Sequence, residues 1–390
     1  MARKIFPFIP ALLFFSIILL FSGCEKNKVN PVGSDLFNKS MGLVMPPLTI
    51  AVHDTVYTSN APTGKSQYLY AGVIDKRKAY SLFRFTGLPD SVTVDTAIFT
   101  INVKKFIGNY PGGLLPDAYI LNYKFDEETF TWQDFSDLNP VDAKINIEPY
   151  PSQNDSIISF TIPPEIVQTW ADTNSAEQNY GFAITYDVPD TGFIAEIYSQ
   201  NYNSYDYVSP HMVLKTHMGD SLYTYNVTPF DVSVIEPEQD NNDNTHFIID
   251  NSSGTRSILF FNVDSIPEDA TINSAVLTFY VDTTYTFPSV SDTFMLRIFN
   301  VTDDSWPIPD VPYDSSTSLT KYAYSANDSL TANITSIVQS WTSGSSVNGG
   351  VLLMGYWEGI DISRKKFFND KSEPLKRPFV KIFYTIPPKR

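Results

Sequence analysis

One cysteine, Cys24, in 390 residues rules out an intramolecular disulfide and a thiolate metal cluster. Only four histidines accompany it, so the usual zinc ligands are scarce. Cations are short too: 27 basic residues face 43 acidic ones, a formal net charge of −16. Such a surface does not suit nucleic acid, whose phosphates need a basic partner. Charged residues make up just 18% and hydrophobic residues 43%, which excludes a disordered polyelectrolyte and leaves enough apolar side chain for real cores. Glycine (18) is outnumbered by proline (27), while aromatics reach 14% with 28 Phe and 23 Tyr. That mixture favours strands and turns over long helices. The length suits two domains of middling size.

Enzyme signatures are missing as well. There is no G-x-S-x-G elbow and no H-E-x-x-H. Gly64-Lys65-Ser66 has the tail of a phosphate loop, but Ser59 stands where its first glycine belongs. Glu127-Glu128 and Asp303-Asp304 are adjacent carboxylates. On a strand, neighbours point to opposite faces, whereas glycoside hydrolysis needs two carboxylates on one cleft. The expectation is a protein that is not an enzyme.

The apolar run from Ile5 to Phe21 is short for a membrane span and is broken by Pro7, Pro10 and Ser16. With Arg3 and Lys4 ahead of it and small residues behind, it has the three parts of an export signal. It ends Phe21-Ser22-Gly23-Cys24, which resembles the bacterial lipobox, with Phe21 where leucine is usual. That resemblance implies a lipoprotein signal peptide over residues 1–23 and lipidation of Cys24. Residues 24–46 are polar, carry Pro31 and Gly33, and read as a flexible tether. The expected place is the bacterial cell envelope, facing periplasm or cell surface, with the membrane touched only through N-terminal lipid. An acidic body is repelled by anionic head groups.

The remainder repeats itself. Phe83 to Val103 aligns without gaps on Phe261 to Val281, with Pro89 and Pro267 178 residues apart. Ile166-Val-Gln-Thr-Trp170 returns as Ile337-Val-Gln-Ser-Trp341, Asn179-Tyr-Gly181 as Asn348-Gly-Gly350, and Ser209-Pro210 as Arg377-Pro378. Each copy opens on alternating segments, Leu48-Thr-Ile-Ala-Val and Tyr225-Asn-Val-Thr. The block Ala97 to Val103 is rich in β-branched and aromatic residues, as a half-buried strand requires, and Gly87-Leu-Pro89-Asp supplies turn chemistry before it. A short helix of about two turns is predicted over Pro163–Trp170 and again over Asn333–Trp341. The fold class expected is therefore all-β: two tandem jelly-roll-like β-sandwich domains, each with one short helix, over residues 47–218 and 219–390.

These residues resemble the DNRLRE module, also classed as carbohydrate-binding module family 96. The marks are Leu82-Phe-Arg84-Phe85 through Leu88-Pro89 to Val94-Asp-Thr-Ala97, and Phe260-Phe-Asn-Val through Ile266-Pro267 to Ile272-Asn-Ser-Ala275. Trp132, Trp306, the V-x-x-W and N-x-G elements, and the closing segment with Tyr384 match further on. Arg84 is replaced by Asn262 in the second copy, and Arg377 by Ser209 in the first. The resemblance covers nearly everything after residue 46 and implies jelly-roll sandwiches that bind a glycan without naming it.

Three groups of residues are candidates for a ligand. Trp357 has no counterpart tryptophan in the first copy, and is weighed equally against simple strand packing. Trp170, Trp341, Trp132 and Trp306 read as core. The stretch Tyr198 to Tyr207, with Tyr202, Tyr205 and Tyr207, offers rings for stacking on sugars and amides for their hydroxyls, against a tyrosine-lined loop with solvated hydroxyls. Arg364, Lys365, Lys366, Lys371 and Arg377 are a basic cluster that would suit an anionic polysaccharide, or serve only to charge an edge strand. Asp240, Asn242 and Asn244 are hard oxygen donors of the kind calcium prefers, although Thr245 and Asn251 stand where an EF-hand needs glycine and glutamate. The function expected is non-catalytic polysaccharide binding, with a structural adhesin or envelope scaffold as the alternative.

Overall fold

The computed structural model describes residues 42–388, apart from 75–76, 152–153, 155, 174–177, 188–191, 203–207, 238–243, 285–292, 306–310 and 325–327. The expected signal segment, Cys24 and most of the expected tether lie outside the described residues. Among those residues no helix is long and apolar enough to cross a membrane. The protein is all-β and sandwich-like, with curled antiparallel sheets.

The first unit is built on Thr93–Gly108, a 16-residue strand that belongs to both layers. Residues 93–102 pair with His211–Met218 and Ile157–Ile162. The register then shifts at Lys104, and residues 103–108 pair with Phe193–Tyr198. A bulge bends and twists a strand, so this one strand folds the sheet over its own core. That core is aromatic: Phe83, Phe99, Phe160 and Phe182 are fully buried with ring centroids 4.9–6.5 Å apart. Among the described residues there are three short α-helices: α1 (Trp132–Leu138) and α2 (Pro164–Ala171) in the first unit and α3 (Thr335–Thr342) in the second. The α1 helix is additional to the repeated one. Its Thr131 makes a capping box with Asp134, the local signal that starts a helix.

The sheets do not divide where the sequence suggests. Ser221–Val227 continues from His211–Met218 as a hairpin, and Pro229–Ile235 pairs along Arg77–Phe85. Both belong to the first unit, although they follow residue 219. Conversely Leu48–Ala51 pairs with Phe379–Ile386, and His53–Thr58 pairs with Thr255–Phe260. The second unit is thus residues 43–58 together with 246–386, and the first is 68–235. The boundaries 47–218 and 219–390 are corrected accordingly. The registers explain the error: Leu48 opposes Ile382 as Tyr225 opposes Leu214. The two opening segments are true repeats of one another, but each closes the sandwich of the other copy.

The seam between the units is buried and paired. Ile362 packs with Tyr70, Ile74, Ala79, Ile107 and Ile194. Arg77 Nη2 lies 2.9 Å from Asp250 Oδ2 and donates to Ser252 Oγ at 2.7 Å, while its Nε donates to the Glu236 carbonyl at 2.7 Å. With both partners buried, removing one would strand an uncompensated charge.

Candidate functional site

The repeated residues are scaffold. Gln168 on α2 accepts from Val94 N at 2.8 Å and donates to the Val92 carbonyl at 2.9 Å. Gln339 on α3 does the same with Ile272 N and the Ala270 carbonyl. Asn179 and Asn348 donate to the carbonyls of Phe85 and Phe261, each at 2.9 Å. Gly181 has a positive φ, and a Cβ there would sit 1.9 Å from the Phe83 carbonyl oxygen, so only glycine permits the approach.

A second repeated device sits on the closing strands. Asp231 opposes Phe83, and Asp54 opposes Leu259. Phe83 pairs in turn with Phe182 and Leu259 with Val351, the residues that follow Gly181 and Gly350. Asp231 accepts the Gln200 main-chain N–H at 2.8 Å, and Asp54 takes that of Asp370. Each carboxylate therefore ties down the loop after the strand preceding it. Burial pushes the Asp231 carboxyl well up, with Glu127 adding to it, and burial followed by Asp370 pushes Asp54 up. A carboxyl raised in the fold contributes stability that is fully present below its unfolded pKa and is lost as pH rises through the raised one. Asp231→Asn keeps an acceptor for Gln200 and removes that loss. Thermal melts at pH 4 and pH 7.5 should show the variant gaining several degrees over the parent at the higher pH and little at the lower. An equal difference at both would contradict the assignment.

The two helix tryptophans part company. Trp341 is buried against Phe261 (5.3 Å), and its indole N–H donates to Asn300 Oδ1 at 2.8 Å. Trp170 is half-buried, flanked by Phe85 and Phe182 at 6.2 Å. Asn300 pairs with Val351 and Ile120 with Phe182, so Ile120 stands at the Asn300 position and offers no side-chain acceptor. Instead Trp170 lines an open cleft of about 650 Å³ bounded by α2, the strand Asp117–Leu121 and the segment 178–180. Tyr180 and Ile166 add apolar surface, and Asn122, Asp142, Glu165 and Gln178 add polar groups around it. The Tyr180 hydroxyl donates to Gln178 Oε1 at 2.9 Å, which orients both. This cleft was missed in the sequence because its tryptophan matches a core residue in the other copy.

The expected ligand residues are dispersed. Tyr202 joins Tyr68 and Tyr198 in a cluster with centroids 4.5–5.7 Å apart. Lys104 Nζ lies 3.6 Å from the Tyr68 ring centre, and Lys104 and Lys105 both face the buried Glu196 carboxylate. Tyr205 and Tyr207 lie outside the described residues. Trp357 is 43% exposed on a turn, its ring 4.8 Å from Tyr356. In the basic group Arg364 is only 4% exposed, so it does not present its charge to solvent. Lys365 and Lys366 are neighbours on one strand and alternate between faces. Burial pulls the Lys365 amine down against the Asp282 carboxylate. Lys371 sits beside Asp54, and Arg377 donates to the Ser372 carbonyl at 2.7 Å. Arg364 therefore does not join the lysines on the solvent-facing surface. Asp240 and Asn242 lie outside the described residues, and the Asn244 carbonyl accepts from Asn369 at 3.1 Å.

Fold and site together define an all-β sandwich protein with an aromatic-floored cleft in its first unit. No family model matches the chain, and no curated protein matches it. Among solved structures, one described as "Complete structure of manganese lipoxygenase of Gaeumannomyces graminis and partial structure of zonadhesin of Komagataella pastoris" is 10% identical, with 86% of this chain and 83% of that one covered, at a TM-score of 0.14. Another, described as "BspA_C_WT", is 10% identical over 89% and 87% at 0.11. Similarity at this level carries no argument about fold or function.

Proposed function

We propose that this is an exported, lipid-anchored protein of the bacterial envelope that binds polysaccharide without cleaving it, and that the Trp170 cleft is where it binds. The observation that supports this most is the half-buried Trp170 lining an open cleft of about 650 Å³ beside Tyr180 and a ring of amides and carboxylates. Sugar rings present apolar faces that stack on aromatics and hydroxyls that pair with such groups. The lipid anchor rests on the lipobox-like Phe21-Ser22-Gly23-Cys24. A glycan array with the chain from Glu25 onward, followed by titration calorimetry, tests the reading. Trp170→Ala should weaken binding by about tenfold or more, roughly 1.4 kcal/mol, while Trp357→Ala leaves it unchanged. Binding indifferent to Trp170 would remove the cleft from consideration.

The scaffold reading has one observation of its own. Among the described residues Ser221–Val227 is paired on one side only, and it presents Leu222 (81% exposed) and Tyr223 (43%) to solvent. An unpaired edge of this kind is a template for another strand. Charging it with Leu222→Lys should abolish any protein contact it makes and leave glycan binding intact.

A further inference from the structure

Resting on the reading of the Trp170 cleft as a glycan site, we infer that its ligand carries no negative charge and is bound more tightly when its sugars bear free amino groups. Among the described residues no lysine, arginine or histidine lines the cleft, while Asp142 and Glu165 both do. Both side chains are exposed, and among the described residues neither forms an ion pair. The one cation on the strand that carries Asp142, Lys144, is already paired with Asp117. The two carboxylates therefore line the cleft without an ion-pair partner among the described residues. A uronate or sulfated sugar seated on Trp170 would meet them as a like charge, whereas an ammonium group would meet two anions and the negative faces of two aromatic rings. The net charge of −16 acts in the same direction, drawing a polycation to the surface and holding a polyanion away. Asn122 and Gln178 suit the hydroxyls or acetamides of either an amino sugar or a neutral one.

This reverses the expectation drawn from Arg364, Lys365, Lys366, Lys371 and Arg377. Those residues belong to the second unit and do not reach this cleft.

The test is calorimetry on the chain from Glu25 onward with three probes: a β-1,4-linked glucosamine hexamer, its fully N-acetylated form, and a hexamer of galacturonate. At low salt the glucosamine hexamer should bind roughly fivefold to tenfold more tightly than the acetylated form, with the gap closing as salt is raised. The galacturonate hexamer should not bind. The double substitution Asp142→Asn, Glu165→Gln should bring the first two probes to the same affinity, and Trp170→Ala should weaken both. Equal binding of the amine and acetylated forms, still dependent on Trp170, overturns the charge preference and leaves the glycan cleft standing. Trp170-dependent binding of galacturonate overturns it outright. Failure of all three probes to bind removes the support for the cleft as a glycan site, and the charge preference falls with it.

Discussion

A chain that begins at residue 60 should lose its second unit and keep its first. Residues 48–51 cover one edge of Phe379–Ile386, and residues 53–58 cover one edge of Thr255–Phe260. Removing them takes away Val52 and Tyr57, which are 1% and 5% exposed, and uncovers Val380, Ile382 and Leu259, all fully buried. At about 1.5–3 kcal/mol for each large apolar side chain, a few such losses match the whole stability of a domain, about 5–15 kcal/mol. Circular dichroism melts of three pieces check this. The fragment 60–236 should unfold cooperatively, because its sheet is closed by its own residues 221–235. The fragment 219–390, cut where the repeat suggests, should not. A rearranged fragment that runs 244–388 and then, through a flexible linker, 42–58 should recover the transition. Cooperative unfolding of 219–390 by itself would contradict the strand assignment.

The tryptophan of the second copy should matter to stability far more than that of the first. Trp341→Ala is expected to cost about 3–5 kcal/mol, since it empties a closed site against Phe261 and leaves Asn300 without its donor. Trp341→Phe keeps most of the packing and should cost about 1–3 kcal/mol for the unmatched Asn300. Trp170→Ala, half-buried and without that bond, should cost only about 1–2 kcal/mol while carrying the loss of binding. Urea titration of the three variants separates these outcomes. Equal costs for Trp170→Ala and Trp341→Ala would mean that the first is a core residue like the second, and the cleft would lose its floor.

Much of the fold was legible without coordinates. The alternating segments, the proline and glycine turns, and the two V-Q-[TS]-W helices all appear as expected elements. The roles of Gln168, Gln339, Asn179 and Asn348 were not legible, although the repetition pointed at each. A side chain that clamps a distant main chain leaves no periodic trace in sequence. For the same reason the pairing of Asp54 and Asp231 with loops more than three hundred residues away in one case, and about thirty in the other, emerges only from sheet register.

The ligand residues were harder still. A run such as Arg364-Lys365-Lys366 reads as a basic patch because residue types are visible in sequence and facing is not. On a strand the pleat sends neighbours apart, and Arg364 turns inward. Likewise Trp170 and Trp341 share a motif and differ in fate because of Ile120 and Asn300, which lie on other strands.

From residue types and spacing alone follow the strand-rich class, the two copies, their period and the acidic surface, since each depends on composition or local alternation. Tertiary structure decided the phase of the repeat and the place of the cleft. A repeat defines how far apart equivalent residues stand, but not which copy each closing strand completes. That choice belongs to hydrogen-bond register across sheets, where residues 48–58 meet partners some 200–330 positions further along the chain.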